Sequence, residues 1–264
     1  MKEDIKYVHE DVAHNLNDPK IIVPVLMKIF KPTSVVDVGC GIGTFLNVFE
    51  KEGVKKILGL DGYWVNKEKL SSYISLSNFR ETDLENDFIV NEKFDLAICL
   101  EVVEHLSEKS SDTIIKNLTK LSDFIVFSAA IPGQGGQNHI NEQWPDYWNK
   151  KFSKYDYVLL DPFRSIFWNN QDLARWYKQN LFLAVKKGKE SIINEFDTKL
   201  DNSILNLVHP EYYKIRLNEI NEFSKLNNDL NKQISKITSG QAGLNFYIKL
   251  VLKVFIRPFK KKKI

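Results

Sequence analysis

Two cysteines in 264 residues, Cys40 and Cys99, are too few for a disulfide framework or for a thiolate zinc site of their own. Both sit in or beside apolar strand patterns, so they are expected to be small buried side chains. The chain also lacks an apolar leader. Its first residues, MKEDIKYVHEDVAHNL, are too charged for a secretory h-region, and a cytoplasmic protein is expected. There is no internal repeat. Neither sign of charge dominates, with 37 Lys and Arg against 34 Asp and Glu. That near-balance conceals a basic end: residues 245–264 carry seven cations and no acid, which leaves residues 1–244 at −4 within a total of +3. A mildly acidic body argues against a nucleic-acid binder. What is present, 43% hydrophobic and 27% charged residues, suits one globular α/β domain plus an appendage.

Strand-like and helix-like segments alternate along the first 190 residues. Asp18-Pro19 predicts a helix through about Phe30, with Asp as cap and Pro at the first helical position. Strands are expected over Ser34–Val38, Lys56–Leu60, Ser75–Arg80, Phe94–Leu100 and Asp123–Ala129, with helices over Thr44–Lys51 and Ser110–Leu121 among them. Tyr157–Phe163, a helix over Asn170–Gln179, and Leu181–Lys186 supply a last strand, helix and strand. This order implies an α/β fold with a seven-stranded, mostly parallel sheet and helices on both faces. The expected domains are an N-terminal helical lid at 1–17, the α/β domain at 18–188, and a helical extension at 189–264. Tyr7, His9, Glu10 and His14 belong to the lid.

In the extension, Glu211 to Ile237 reads as one long helix. Tyr213, Ile220, Phe223, Leu230, Ile234 and Ile237 fall on a and d positions of a heptad, Asn227 falls on an a position, and Arg216 breaks the seam. A homodimer through 211–237 and packing on the protein's own body are the two readings. Asn245–Ile256 is a second helix, too short to span a bilayer. Lys249, Lys253 and Arg257 form one stripe on it, before the basic run Lys260 to Lys263. It fits a helix lying in a membrane interface, and equally a helix docked on protein.

The most informative stretch is Val35 to Leu46: Val-Val-Asp-Val-Gly-Cys-Gly-Ile-Gly-Thr-Phe-Leu. A buried strand ends beside Asp37 and delivers Gly39, Gly41 and Gly43 to a helix start. Glycines there let a ligand lie directly on the backbone. A dinucleotide turn has the spacing G-x-G-x-x-G, whereas this one is G-x-G-x-G with an acid before it. Asp61 ends the next strand, Glu81-Thr-Asp83-Leu84 closes the third, and the fourth runs into Glu101-Val-Val-Glu104-His105. Together these resemble, in order, the motifs of class I S-adenosylmethionine-dependent methyltransferases over residues 18–188. The resemblance implies a Rossmann-like fold and S-adenosylmethionine as cofactor. It implies that Asp37, Gly39, Gly41 and Gly43 bind the cofactor, that Asp61 accepts from both ribose hydroxyls, that Asp83 and the backbone at Leu84 meet the adenine, and that Glu101 lies beneath the methionine part.

Methyl transfer is an in-line displacement at a sulfonium carbon, so the protein mainly aligns and desolvates the reactants. A hydroxyl acceptor also needs its proton removed. Glu101, Glu104 and His105 form E-x-x-E-H, a pattern that holds metal in quinone-pathway and small-RNA methyltransferases and that also occurs widely without one. A divalent ion, Mg or Mn, on these three residues is one expectation; His105 as a base or positioning group is the other. After the fifth strand, residues 130–148 form a Gly-rich polar loop. Its His-x-Asn-Glu-Gln-Trp-Pro-x-Tyr-Trp signature resembles a methyltransferase branch associated with bacterial surface-polysaccharide and nucleotide-sugar synthesis. His139 is the expected general base, with Glu142 orienting it or the acceptor; Asn141, Trp144 and Trp148 are expected to meet the acceptor, the two tryptophans as flat faces for a sugar ring. The implied activity is O-methylation of a carbohydrate or related polar intermediate of a cell-surface glycan pathway, peripheral on the inner face of the membrane. The alternatives are a small-molecule N-methyltransferase, a quinone-pathway O-methyltransferase, and a non-catalytic cofactor-binding scaffold recruited to a membrane complex.

Overall fold

The computed structural model describes residues 15–196 and 206–256. The expected lid residues Tyr7, His9, Glu10 and His14 and the basic run 260–263 lie outside them. Strands β1 (Ser34–Val38), β2 (Lys56–Asp61), β3 (Phe79–Glu81), β4 (Leu96–Leu100), β5 (Phe124–Ser128), β6 (Tyr157–Leu160) and β7 (Phe182–Lys186) form one sheet in the order β3-β2-β1-β4-β5-β7-β6. The first five pair in parallel, and β7 runs antiparallel to both β5 and β6. The sheet is therefore the seven-stranded, mostly parallel, Rossmann-like sheet that the alternation of elements predicts.

Side chains alternate between two cores, as the period of a strand demands. In β4, Leu96 and Ile98 face one core while Ala97 and Cys99 face the other; in β7, Leu183 and Val185 alternate with Phe182 and Ala184. The first core is covered by α1 (Asn17–Phe30) and α2 (Thr44–Lys51) through Ile22, Leu26, Leu46 and Phe49. The second is covered by α4 (Ser111–Leu121) and α5 (Pro145–Ser153) through Ile114, Leu118, Trp148 and Phe152. Both faces of a parallel sheet are thus sealed, which accounts for the near-continuous apolar runs of its strands. Three short helices complete the layers: α3 (Lys67–Ser71), α6 (Phe163–Phe167) and α7 (Arg175–Asn180).

Several boundaries differ from the sequence expectation for identifiable reasons. Asp18 is not the cap of α1. Its Oδ1 accepts from the backbone N–H of Ala174 at 2.9 Å, while Asn15 Oδ1 takes the Asn17 N–H at the helix start. β3 is only three residues long because Ser75 caps a 3₁₀ turn, its Oγ accepting from Ser77 N. The helix expected from Asn170 begins at Arg175, since Asn170 Oδ1 accepts from Asp172 N and Leu173 N and closes a turn instead.

The chain divides into two compact units, residues 1–209 and 210–264. Beyond Gly188, Phe196 is buried in the first unit against Phe30 and Phe163. The second unit consists of α8 (Pro210–Thr238) and α9 (Leu244–Ile256). Its turn is closed by Tyr247, whose hydroxyl donates to Ile237 O at 2.6 Å, one of the carbonyls that the end of α8 leaves without a helical partner. No helix among the described residues is long and apolar enough to cross a membrane.

Candidate active site

The glycine turn sits at the C-terminal edge of β1, where parallel sheets of this kind receive ligands. Gly39, Gly41 and Gly43 all take positive φ, at 86°, 52° and 82°. Gly39 carries a second constraint. A Cβ there would stand 2.3 Å from Val102 Cγ2, so the turn is pressed against the segment that follows β4. The turn is tied to β2 by Gly39 N, which donates to Leu60 O at 2.7 Å, and by Asp61. Asp61 Oδ2 accepts from Gly41 N at 2.8 Å and Oδ1 from Gly62 N at 2.6 Å. Burial raises the Asp61 carboxyl to about 6 against the pull of these two N–H groups. Burial and the neighbouring Asp61 charge push Asp37 well up as well. Asp83 lies exposed past the end of β3, its oxygens accepting from Glu85 N and Asn86 Nδ2, and Leu84 next to it is buried. The cofactor residues expected from the sequence therefore line the ends of β1, β2 and β3.

Glu101 follows β4 with φ 53°, a left-handed conformation that a non-glycine residue adopts only when its surroundings enforce it. Its backbone N–H donates to Ser128 O and Oγ. Its carboxylate is clamped by two residues that carried no sequence signal for this role. Gln134 Nε2 donates to Oε2 at 2.8 Å, Asn180 Nδ2 donates to Oε1 at 3.1 Å, and Asn180 also donates to Gln134 Oε1 at 2.8 Å. Burial raises the Glu101 carboxyl above its ordinary value, and these hydrogen bonds offset only part of the shift.

The loop after β5 folds back on itself and on β4. Gln143 N donates to Ala130 O at 3.1 Å and closes its base. Ile140 N and Asn141 N both donate to Glu104 O, at 2.9 and 3.1 Å, which docks the loop on the turn Val103–His105. Asn138 takes φ 57° just before His139, a conformation asparagine tolerates. Glu142 gathers the loop: Oε2 accepts from Gly133 N at 2.7 Å, and Oε1 accepts from Gly135 N at 2.6 Å and His139 Nδ1 at 2.9 Å. Burial alone would raise the Glu142 carboxyl, but the bonds from His139, Gly135 and Gly133 outweigh it and hold the group below its ordinary range. A carboxylate only accepts, so Nδ1 of His139 is the donor in this bond and Nε2 is the nitrogen turned away from Glu142.

His105 and His139 meet edge to face, with ring centroids 4.9 Å apart. Glu104, His105 and His139 each offer a ligand atom, all within 4.8 Å of one another. This cluster differs from the set expected from the sequence: it includes His139 and not Glu101, whose carboxylate accepts from Gln134 and Asn180.

Two acceptor residues turn inward. Trp148 is 1% exposed and packs on Phe127 in the second core, so its face is not offered to a sugar. Asn141 is buried, donating from Nδ2 to Val103 O and Ser111 Oγ and accepting from Gln143 Nε2, so its side chain fastens the loop rather than presenting itself outward. Trp144, 39% exposed at the start of α5, remains available. Cys40 and Cys99 are free and buried, as expected.

A family model described as a methyltransferase domain matches residues 7–182. An O-methyltransferase family protein from Burkholderia thailandensis is 11% identical with a TM-score of 0.52, the match covering 67% of this chain and 57% of that one. The methyltransferase domain of bacterial CtHen1 is 18% identical, with 65% and 98% of the two chains covered and a TM-score of 0.46. Magnesium protoporphyrin IX methyltransferase from Synechocystis PCC 6803, solved with bound SAH, is 16% identical, with 68% and 89% covered and a TM-score of 0.47. No curated protein matches the chain. At these identities the likeness is one of fold.

Proposed function

The chain belongs to the methyltransferase-domain family, and on that premise we propose that it methylates a hydroxyl of a carbohydrate or related polar intermediate of a cell-surface glycan pathway. S-adenosylmethionine is the methyl donor. Asp37, the glycine turn, Asp61, Asp83, Leu84 and Glu101 are the residues assigned to hold it.

The observation that carries the choice of a hydroxyl acceptor is the His139–Glu142 pair. A neutral amine needs no base, whereas a hydroxyl must lose its proton as the O–CH₃ bond forms. Glu142 fixes His139 with Nδ1 protonated, so Nε2 is the basic nitrogen. His105 packs edge-on against the same ring and fixes its tilt. The carbohydrate assignment is supported by the polar loop 130–143 and by the exposed face of Trp144. Quinone-like phenols are the competing hydroxyl class.

The second unit supports finer assignments. On α9, Leu244, Phe246, Ile248, Leu250, Val251 and Leu252 are exposed beside Lys249 and Lys253, the pattern of a helix lying in an anionic membrane surface. On α8, Tyr213, Ile220, Phe223, Leu230 and Ile234 are exposed along one stripe, which suits pairing with a second copy.

The test is a methyl-transfer screen using radiolabelled S-adenosylmethionine against nucleotide sugars, glycan intermediates, phenols and amines. Label is expected in a sugar hydroxyl, with loss of transfer in His139→Ala. Label only in amines, or full transfer by His139→Ala, contradicts the assignment.

A further inference from the structure

We propose that Glu104, His105 and His139 bind one divalent ion of the first transition row, through one carboxylate oxygen and two imidazole nitrogens.

The first support is the state of Glu104. It is 0% exposed, no cationic side chain among the described residues balances it, and the Glu101 carboxylate beside it adds to burial in pushing its carboxyl well above the ordinary range. A buried carboxylate in that setting is costly, so it is neutralised by a proton or balanced by a cation. Two imidazoles reach the same spot, with donor atoms of all three side chains within 4.8 Å. Small side-chain rotations bring atoms at that spacing onto one ion, whose bonds to nitrogen and oxygen are about 2.0–2.2 Å. The convergence spans 35 positions of sequence, from Glu104 to His139. It is held by the backbone bonds from Ile140 and Asn141 to Glu104 O and by the Asn141 side chain on Val103 O.

The second support is how His139 is presented. Metal-bound histidines usually donate their other N–H to a carboxylate, which fixes tautomer and ring orientation. Glu142 does this at Nδ1, and Gly133 N and Gly135 N fix Glu142 in turn. Nε2 is the nitrogen left for an ion. A Cβ at Gly136 would stand 2.3 Å from that Nε2. Gly136 is not among the residues with positive φ, so its backbone does not require glycine; the space beside Nε2 does.

The donor set selects the ion. Two imidazoles and one carboxylate suit Mn, Fe, Co, Ni or Zn, whereas Mg and Ca seek oxygen ligands. Glu101 lies outside this cluster of converging donor atoms, its carboxylate accepting from Gln134 and Asn180. When bound, such an ion lowers the pKa of a coordinated hydroxyl. His139 then serves as a ligand through the nitrogen it would otherwise use as a base. The inference rests on the methyl-transfer reading for that chemistry alone, since ion binding is measured without turnover.

The test titrates the chelator-treated full chain with Co(II), following visible d–d absorption and heat, with circular dichroism and SAH affinity as fold checks. One equivalent is expected to bind with a ligand-field spectrum. Glu104→Gln and His139→Ala are expected to weaken binding at least 100-fold while retaining SAH affinity. Glu142→Gln and Gly136→Ala are expected to weaken it by about 10- to 100-fold, the usual range for groups that support a ligand. Absence of a one-equivalent spectrum in the parent, or unchanged affinity in Glu104→Gln and His139→Ala, overturns the site. In that outcome Glu104 is a protonated acid, and His139 as base is still judged by the transfer screen.

Discussion

Asp61 connects two demands that pull in opposite directions. The proposed role of accepting from both ribose hydroxyls favours the ionised form, yet Asp61 is buried beside Asp37, and its carboxyl is raised to about 6. The native state holds this proton more tightly than the unfolded chain does. Its contribution to the stability of the unliganded protein is therefore fully present below about pH 4 and is lost as pH rises through about 6, amounting to about 3 kcal/mol. Cofactor affinity runs the other way. Calorimetric titration of SAH at pH 5, 6 and 7.5 is expected to show binding tightening as pH rises through 6, and a pH-independent affinity would remove Asp61 from the cofactor site. The tryptophans make a second contrast at this scale. Trp148→Ala is expected to cost about 3–5 kcal/mol in denaturant unfolding, as for other large core side chains. Trp144→Ala is expected to change stability by less than about 0.5 kcal/mol and to act on the KM for acceptor. Equal destabilisation by both would refute the assignment. The sequence expectation offers Trp148 to the acceptor beside Trp144; the sign it carries instead is its spacing of four from Phe152, which puts both on the buried face of α5. The residues around Asn180 gave no such sign, because its partner Glu101 lies 79 positions away.

Among elements, what was legible depended on whether local chemistry decided the matter. β1 and α2 run between the residues the sequence predicts, because an apolar run, a glycine turn and an amphipathic helix follow one another without competing bonds. β3 and α7 were misplaced where a serine or asparagine side chain offered the backbone a different partner. The loop after β5 was recognisable as polar and Gly-rich, but its closure on Glu104 O was not, since backbone-to-backbone contacts across such a distance leave no residue pattern. α9 is the element whose surroundings the sequence leaves most open. Flotation with anionic vesicles is expected for the full chain and to be lost in a chain ending at Gly240. Equal flotation of both, or of neither, would remove the membrane assignment.

At the scale of the whole molecule, the sheet divides the work. β1, β2 and β3 end in residues assigned to the donor, to which Glu101 at the end of β4 is added, while Glu104, His105 and the loop after β5 that bears His139 form the other part. Gly39 against Val102, and Gln134 on Glu101, are the contacts that join the halves. The most direct test of this division is a calorimetric titration of SAH into the parent chain, Asp61→Asn and His139→Ala at pH 7.5. One SAH per chain is expected for the parent and for His139→Ala with closely similar affinity, and an affinity at least 10-fold lower for Asp61→Asn, the loss of a hydrogen bond to a charged group. No binding by the parent, or equal loss in both variants, would contradict the account.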